Sequence, residues 1–434
     1  MNVKKCISLL LLISELIILQ ATGYTYISGI FLFLSIIIIN LVLIVRSYKN
    51  NNSPLLLFFL YTFAYVYVLR YPFIDGIQVS VYYYFNDLDH MYKTGLLFFL
   101  FFGIISVFID IPYNPSKQLI LYKNNFILFY LFLLVAIIFM IFGKSGETIF
   151  SSGSYGLSEK SSSSLNEYFF IPFFIAIIFS NNSKEKVFLL YAIACIYALK
   201  NLLFGGRIEV VMIALCIFIW KLNCRVKPRT VILLSVFAFY FFAIIGNIRE
   251  NPLVLFSANW SDFLLPTPTS DTLVIRSQEG DVLYATNRLV AMVDEDIINL
   301  FDRIKGFLFF ILSIIIPYSY LPDIANLASY NKDIYNVGGG GLPFGMFYVY
   351  FSYLGVAFIA YYISSVLSNI GKEKIHKQTF YNIYCVFVFF TMPRWFAYSP
   401  IIIFKLSLYG GLITLIVLSF DTWIKNIIHK RKLL

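Results

Sequence analysis

Charge is scarce in this chain. Asp, Glu, Lys and Arg supply 13% of its 434 residues, about half the share carried by a soluble globular domain. Histidine is scarcer still, at His90, His376 and His429, and this leaves no histidine cluster on which to build a metal centre. The five cysteines, Cys6, Cys195, Cys216, Cys224 and Cys385, lie in or beside apolar segments, and no two have metal-ligand or redox spacing. That excludes a disulfide framework, and no metal and no cofactor is expected. The sequence shows no internal repeat, so an inverted-repeat transporter has no support from self-similarity.

What fills the chain is apolar. Hydrophobic residues make up 60% and aromatics 19%, with a mean hydropathy of +0.80. Apolar runs recur from Ile7 to Phe420, which indicates an all-α polytopic membrane protein rather than a soluble domain with one anchor. The start, "MNVKKCISLLLLISELIIL", has the charged-then-apolar look of a signal peptide. Glu15 interrupts the run and many spans follow, so an uncleaved first helix is expected. Candidate spans fall near 7–19, 24–45, 54–69, 95–110, 126–142, 168–180, 187–203, 205–220, 231–248, 343–367, 379–393 and 400–420. A further run, 306–320, is short and ends at Pro317.

Lysine and arginine bias sets the orientation. An N-terminus inside makes Arg46/Lys49, Lys117/Lys123, Lys184/Lys186 and "KLNCRVKPR" (221–229) cytoplasmic. Counting back from the other end, "KNIIHKRKLL" (425–434) and "GKEKIHKQT" (371–379) are cytoplasmic too. The two ends agree only if 306–320 does not cross, so it is read as a re-entrant or interfacial helix. About 12 transmembrane helices with both termini cytoplasmic result. The chain divides into an N-terminal bundle of about nine spans (1–248), a large extracytoplasmic loop region (249–342), and C-terminal helices with a basic tail (343–434). A second outer loop, 143–167, is rich in serine and glycine, and 70–94 is heavy in tyrosine. On this topology seven of thirteen outer basic residues are arginine, against four of nineteen inside. Arginine's planar fork suits phosphate; salt bridges with the outer acids are the alternative.

Four stretches carry chemistry. "NLLFGGRIEVVM" (201–212) puts Arg207 and Glu209 in a greasy run behind Gly205-Gly206. An Arg at the centre of a membrane helix costs about 2.5–3.5 kcal/mol on insertion scales, so Arg207 should face a cavity or a partner. Glu209, two positions on, points to another side of the helix. In "NVGGGGLPFGMFYVYFSYLGV" (336–356), the amides of Gly338, Gly339, Gly340 and Gly341 are able to cradle an oxyanion, with Pro343 at a helix start; a flexible entry loop is the plainer reading. "TMPRWFAYSP" (391–400) sets Arg394 beside Trp395, Phe396 and Tyr398, where interfacial anchoring competes with a phosphate contact. Arg249 and Glu250 close the ninth span. "NDLDH" (86–90) has Asp87 and Asp89 at Asp-x-Asp spacing with His90 adjacent. That pattern is able to bind a divalent cation but is common by chance.

Together these stretches resemble the bacterial oligosaccharide repeat-unit polymerases, the Wzy-type O-antigen and capsule polymerases. The likeness rests on "GGRIEVVMIAL", the large outer loop of the C-terminal half, "GGGGLPFGMFYVYFSYLGV" and the arginine of "MPRWFAYSP"; Asp87-x-Asp89-His90 has no counterpart in it. The resemblance implies a GT-C-like bundle in the bacterial inner membrane. It implies an inverting glycosyltransferase that joins undecaprenyl-pyrophosphate-linked repeat units, with a polysaccharide chain-length regulator as a further partner and no nucleic acid. Arg207, Arg394 and Arg249, with Gly338–Gly341, would then hold the pyrophosphate. Glu209, Glu250 or His90 would act as general base, and tyrosines of 70–94 would stack on sugars. A lipid-linked oligosaccharide flippase and an O-antigen ligase are the alternatives. A flippase would spread charge through the bilayer depth, and a ligase typically takes a histidine from its large loop, where 249–342 has none.

Overall fold

The computed structural model describes residues 3–76, 87–111, 120, 122–146, 148, 160–222, 226–250, 278–335, 337, 340–370 and 380–433. Helices occupy all twelve apolar runs. The first nine are α1 (Val3–Thr22), α2 (Tyr26–Lys49), α3 (Ser53–Val68), α4 (Leu88–Phe108), α5 (Phe126–Gly143), the one-turn α6 (Leu165–Tyr168), α7 (Phe170–Phe179), α8 (Lys184–Leu203) and α9 (Arg207–Leu222). Then follow α10 (Pro228–Glu250), α11 (Gln278–Asp294), α12 (Leu300–Leu312), α13 (Leu327–Tyr335), α14 (Pro343–Asn369), α15 (Phe380–Phe390), α16 (Met392–Ala397) and α17 (Ile401–Leu433). One antiparallel ladder, β1 (Lys144–Gly146) with β2 (Lys160–Ser162), joins the ends of the 143–167 segment.

The helix starts are written in the sequence. Thr25 and Ser28 exchange hydrogen bonds in a capping box before α2. Asn52, Asp87, Asn125 and Asn299 each accept a backbone N–H at the head of α3, α4, α5 and α12. Among the described residues, eight helices are long and apolar enough to cross a bilayer, and three shorter apolar helices lie at 165–179, 228–242 and 380–390. Ile27, Ile127, Phe142, Phe188 and Leu233 stand exposed on their outer faces. The chain is therefore an all-α membrane protein whose greasy exterior suits lipid. At one end of the bundle, buried Asp421 binds Asn125 and Lys425 and ties α17 to the start of α5.

Three elements depart from the sequence expectation. Residues 278–294, expected within an outer loop, form α11, packed on α3, α4 and α14. Val282, Leu283, Leu289, Val290 and Met292 are buried there with Thr286 and Asn287. Its polar residues dilute the hydropathy signal. They are also engaged inside: Thr286 Oγ1 accepts from the Leu342 amide at 2.8 Å, and Asn287 Oδ1 accepts from Thr94 Oγ1 at 3.3 Å.

Second, α14 is not one continuous span. Phe351 and Ser352 leave helical geometry, Ser352 at φ 51°. A Cβ built on Gly355 would come within 2.0 Å of Phe347 O, although eight residues of straight helix cover about 12 Å. The chain doubles back, with Phe347 beside Phe358. Arg303 of α12 donates to Val349 O at 2.5 Å and to Ser352 Oγ at 2.6 Å, serving groups released at the break.

Third, the short helix expected at 306–320 starts earlier, at Leu300, and ends at Leu312. At about 20 Å it is shorter than the roughly 30 Å hydrocarbon core. Phe301, Ile304, Leu308 and Ile311 form an exposed apolar stripe opposite the buried Gly306 and Phe310.

Candidate functional site

The Gly-Gly break has a structural cause. α8 ends in a Schellman motif: Gly206 N–H donates to Asn201 O at 2.7 Å and Gly205 N–H to Leu202 O at 2.9 Å, with Gly205 at φ 75°. That left-handed position favours glycine. Gly206 serves another purpose. A Cβ there would lie 2.4 Å from Lys144 Nζ and 2.7 Å from Glu209 Oε2. The turn makes room for an ion pair that follows.

Glu209 sits in the first turn of α9, where its carboxylate suits the helix dipole. Its Oε1 accepts from Lys144 Nζ at 3.0 Å and from Asn166 Nδ2 at 3.4 Å. Asn166 also donates to Asn201 Oδ1 at 3.0 Å, and its carbonyl accepts from the Tyr197 hydroxyl at 2.8 Å. Gly143 permits this approach, since a Cβ there would meet the Asn166 backbone at 2.7 Å. A buried polar network thus fastens α5, α6, α8 and α9 together. Lys200 adds to the fastening by donating to Met140 O and Ile141 O at the end of α5.

Arg207 points away from this network. Its Nη1 donates to Phe242 O on α10 at 2.9 Å. A cation in the first helical turn opposes the macrodipole by roughly 0.3–1 kcal/mol, so helix stability does not account for it.

Arg394 enters from α16. Its Nη2 lies 2.6 Å from Glu167 Oε1 and its guanidinium stands 5.0 Å from the Tyr398 ring centroid. The Tyr398 hydroxyl accepts from Gln278 Nε2 at 3.0 Å. Trp395 and Phe396 do not anchor the chain at a membrane surface. Both are fully buried, Trp395 stacked on Phe58 and Phe396 against Tyr61, Tyr65 and Phe101.

The glycine run reaches the same place. A Cβ on Gly340 would come within 1.8 Å of Tyr398 O, and one on Gly341 within 2.6 Å of Leu289 Cδ1. At Gly340 glycine serves close backbone packing, and at Gly341 it makes room for the Leu289 side chain. Gly338 and Gly339 lie outside the described residues, as do Tyr82, Tyr83 and Tyr84; Arg249 and Glu250 close α10 with side chains outside them too.

His90 belongs elsewhere. It stands at the head of α4, eleven residues before the Phe101 that touches Phe396, or roughly 16 Å along the helix. Its Nδ1 contacts Asp87 Oδ2 and its Nε2 lies 3.7 Å from Asp294 Oδ2. Lys93 pairs with Asp294 at 2.6 Å and Arg288 with Asp87 at 3.5 Å. Ligand atoms of Asp87, His90 and Glu295 lie within 4.8 Å of one another; Asp89 is exposed and outside this group. The fixed cations Lys93 and Arg288 already offset the carboxylates, and we assign no metal there. Burial pushes the Asp87 carboxyl up, but hydrogen bonds from His90 and the charge of Arg288 outweigh it and hold it below its usual value.

No protein-family model matches this chain, and no curated protein or solved structure matches it. The site therefore stands on its own geometry. The sequence reading missed Lys144, Asn166 and Glu167, the residues that link its parts. Their signal was faint: Lys144 directly follows an apolar run, and Asn166-Glu167 directly precede one, at the two ends of a Ser/Gly-rich loop.

Proposed function

We propose that the protein is a polysaccharide repeat-unit polymerase, an inverting membrane glycosyltransferase that uses a polyprenyl-pyrophosphate-linked donor. One observation carries the reading. Three stretches far apart in sequence, around Gly206-Arg207-Glu209, Gly340 and Arg394, come together: Arg394 pairs with Glu167, whose neighbour Asn166 bonds Glu209, the Arg394 guanidinium lies over the ring of Tyr398, and Gly340 packs on Tyr398. They are the stretches in which the sequence resembles the Wzy-type polymerases.

The arrangement suits the chemistry. Transfer from a lipid pyrophosphate leaves charge on the departing phosphates, and arginines held in a desolvated setting stabilise that charge. Arg394 fills this role where the stretches meet, and Arg207, bonded to Phe242 O on α10, is the second arginine proposed for it. Glu209 is fixed by Lys144 and Asn166 and acts as a strut rather than a base. His90 is too far along α4 to serve the same reacting atoms.

In the cell the reading places twelve spans in the inner membrane, both termini in the cytoplasm and the site toward the outer leaflet, in a GT-C-like bundle. The apolar stripe of α12 lies in the headgroup region. The partners are the lipid-linked oligosaccharide, the bilayer and a chain-length regulator. Deletion in the parent strain, with the glycan displayed on a gel, tests it. Loss of the long-chain ladder with retention of the single-repeat product supports the polymerase; loss of both points to a flippase or a ligase.

A further inference from the structure

Resting on that reading, we infer that Glu167 is the general base for the acceptor hydroxyl and that Arg394 masks it until the pyrophosphate donor binds. The two ion pairs of the site differ in access. Lys144 and Glu209 are each 10% exposed at the side chain, whereas Arg394 and Glu167 are 31% and 19% exposed. Lys144–Glu209 is a closed pair with a further amide bonded to it. Arg394–Glu167 is the more exposed of the two pairs.

The backbone beneath Glu167 is held firmly. It sits on the one-turn helix α6 next to Asn166, which is bonded to Asn201 and Tyr197. A carboxylate on a fixed backbone, beside an arginine on a different element, keeps its place when that arginine changes partner.

A pyrophosphate carries more charge than one carboxylate and accepts a guanidinium in bidentate fashion. Donor binding draws Arg394 from Glu167 and leaves the carboxylate oxygens free to accept a hydrogen bond from the acceptor hydroxyl. In the transfer, the acceptor hydroxyl oxygen forms a bond to the anomeric carbon as the bond from that carbon to the pyrophosphate oxygen breaks. The electron pair of the broken bond leaves on the lipid pyrophosphate, beside Arg394. The hydroxyl proton passes to the Glu167 carboxylate and then to water. The base is thus released only when a donor is present, so an acceptor or water arriving first meets a masked carboxylate.

The test uses the purified full chain in nanodiscs, with undecaprenyl pyrophosphate as binding probe and lipid-linked repeat units for transfer. Glu167→Gln removes Arg394's competing anion, so it should bind the probe several-fold tighter than wild type while transfer falls by about 10²–10⁴. Glu167→Asp should retain a reduced rate that still falls at acid pH, and Glu167→Gln should lose that acid limb. A Glu167→Gln protein that transfers at the wild-type rate, or binds the probe no more tightly, overturns the inference. So does one that loses binding and thermal stability together, since that marks Glu167 as a structural strut. If wild type itself neither binds the probe nor makes polymer, the proposed function falls instead.

Discussion

Arg394 Nη2 meets Glu167 Oε1 at 2.6 Å and joins α16 to α6. The two elements come from opposite halves of the chain. Around this contact an apolar bundle gathers Lys144, Glu209 and Tyr398. Unpaired, any of the charges of Arg394, Glu167, Lys144 and Glu209 would be costly to hold away from water.

Arg207 opposes the dipole of its own helix and donates to a backbone carbonyl, Phe242 O on α10. Arg207→Ala should therefore leave expression and thermal stability near wild type while reducing transfer by about 10²–10³. Arg207→Lys keeps the charge without the fork and should retain only part of the rate. Glycan ladders from complemented deletion cells, with blots for protein level, check both.

Glu209→Ala strands Lys144 in the interior. Breaking a buried pair from one side costs about 3–5 kcal/mol, read as a large fall in Tm in detergent. The double variant Lys144→Met/Glu209→Leu removes both charges and should recover much of the loss, a coupling that separate single variants would not show.

The two glycines before Arg207 fail differently. Gly205→Ala forces a side chain into a left-handed residue and should cost about 1–2 kcal/mol. Gly206→Ala instead pushes a methyl into Lys144 Nζ and Glu209 Oε2, so its Tm loss should shrink sharply in the Lys144→Met/Glu209→Leu background. The Gly205→Ala loss should be the same in either background.

Asp87 has a carboxyl held below its usual value by His90 and Arg288. The native state binds a proton there less readily than the unfolded chain does. Its contribution to stability is therefore full above the unfolded value, about pH 4, and is lost as pH falls through the lower folded value. Thermal unfolding should show Asp87→Asn losing stability against wild type at pH 6, with the gap closing toward pH 3.

Much of the architecture was legible because apolar runs and capping residues are local signals. All twelve runs are helical, and Arg207 and Glu209 diverge as two-residue spacing on a helix requires. What failed was non-local. α11 looks like loop because its polar residues find partners only in the folded bundle. The turn at Ser352 is marked only by Gly355 three residues on, which reads as an ordinary helix glycine, and is upheld by Arg303 from another helix. Trp395 and Phe396, for which surface anchoring was one of two readings, are interior because α3 and α4 offer them aromatic neighbours. Glu167 drew no notice in a serine-rich loop; its meaning comes from Arg394, which pattern reading cannot place beside it.

Reconstituted polymerisation tests the central claim most directly. Purified protein in liposomes, supplied with undecaprenyl-pyrophosphate-linked repeat units, should convert them to a ladder of longer glycans and release lipid pyrophosphate. Arg394→Ala, folded to the same Tm or nearly so, should leave the single repeat unconverted. A ladder of normal length and rate from Arg394→Ala would contradict the account.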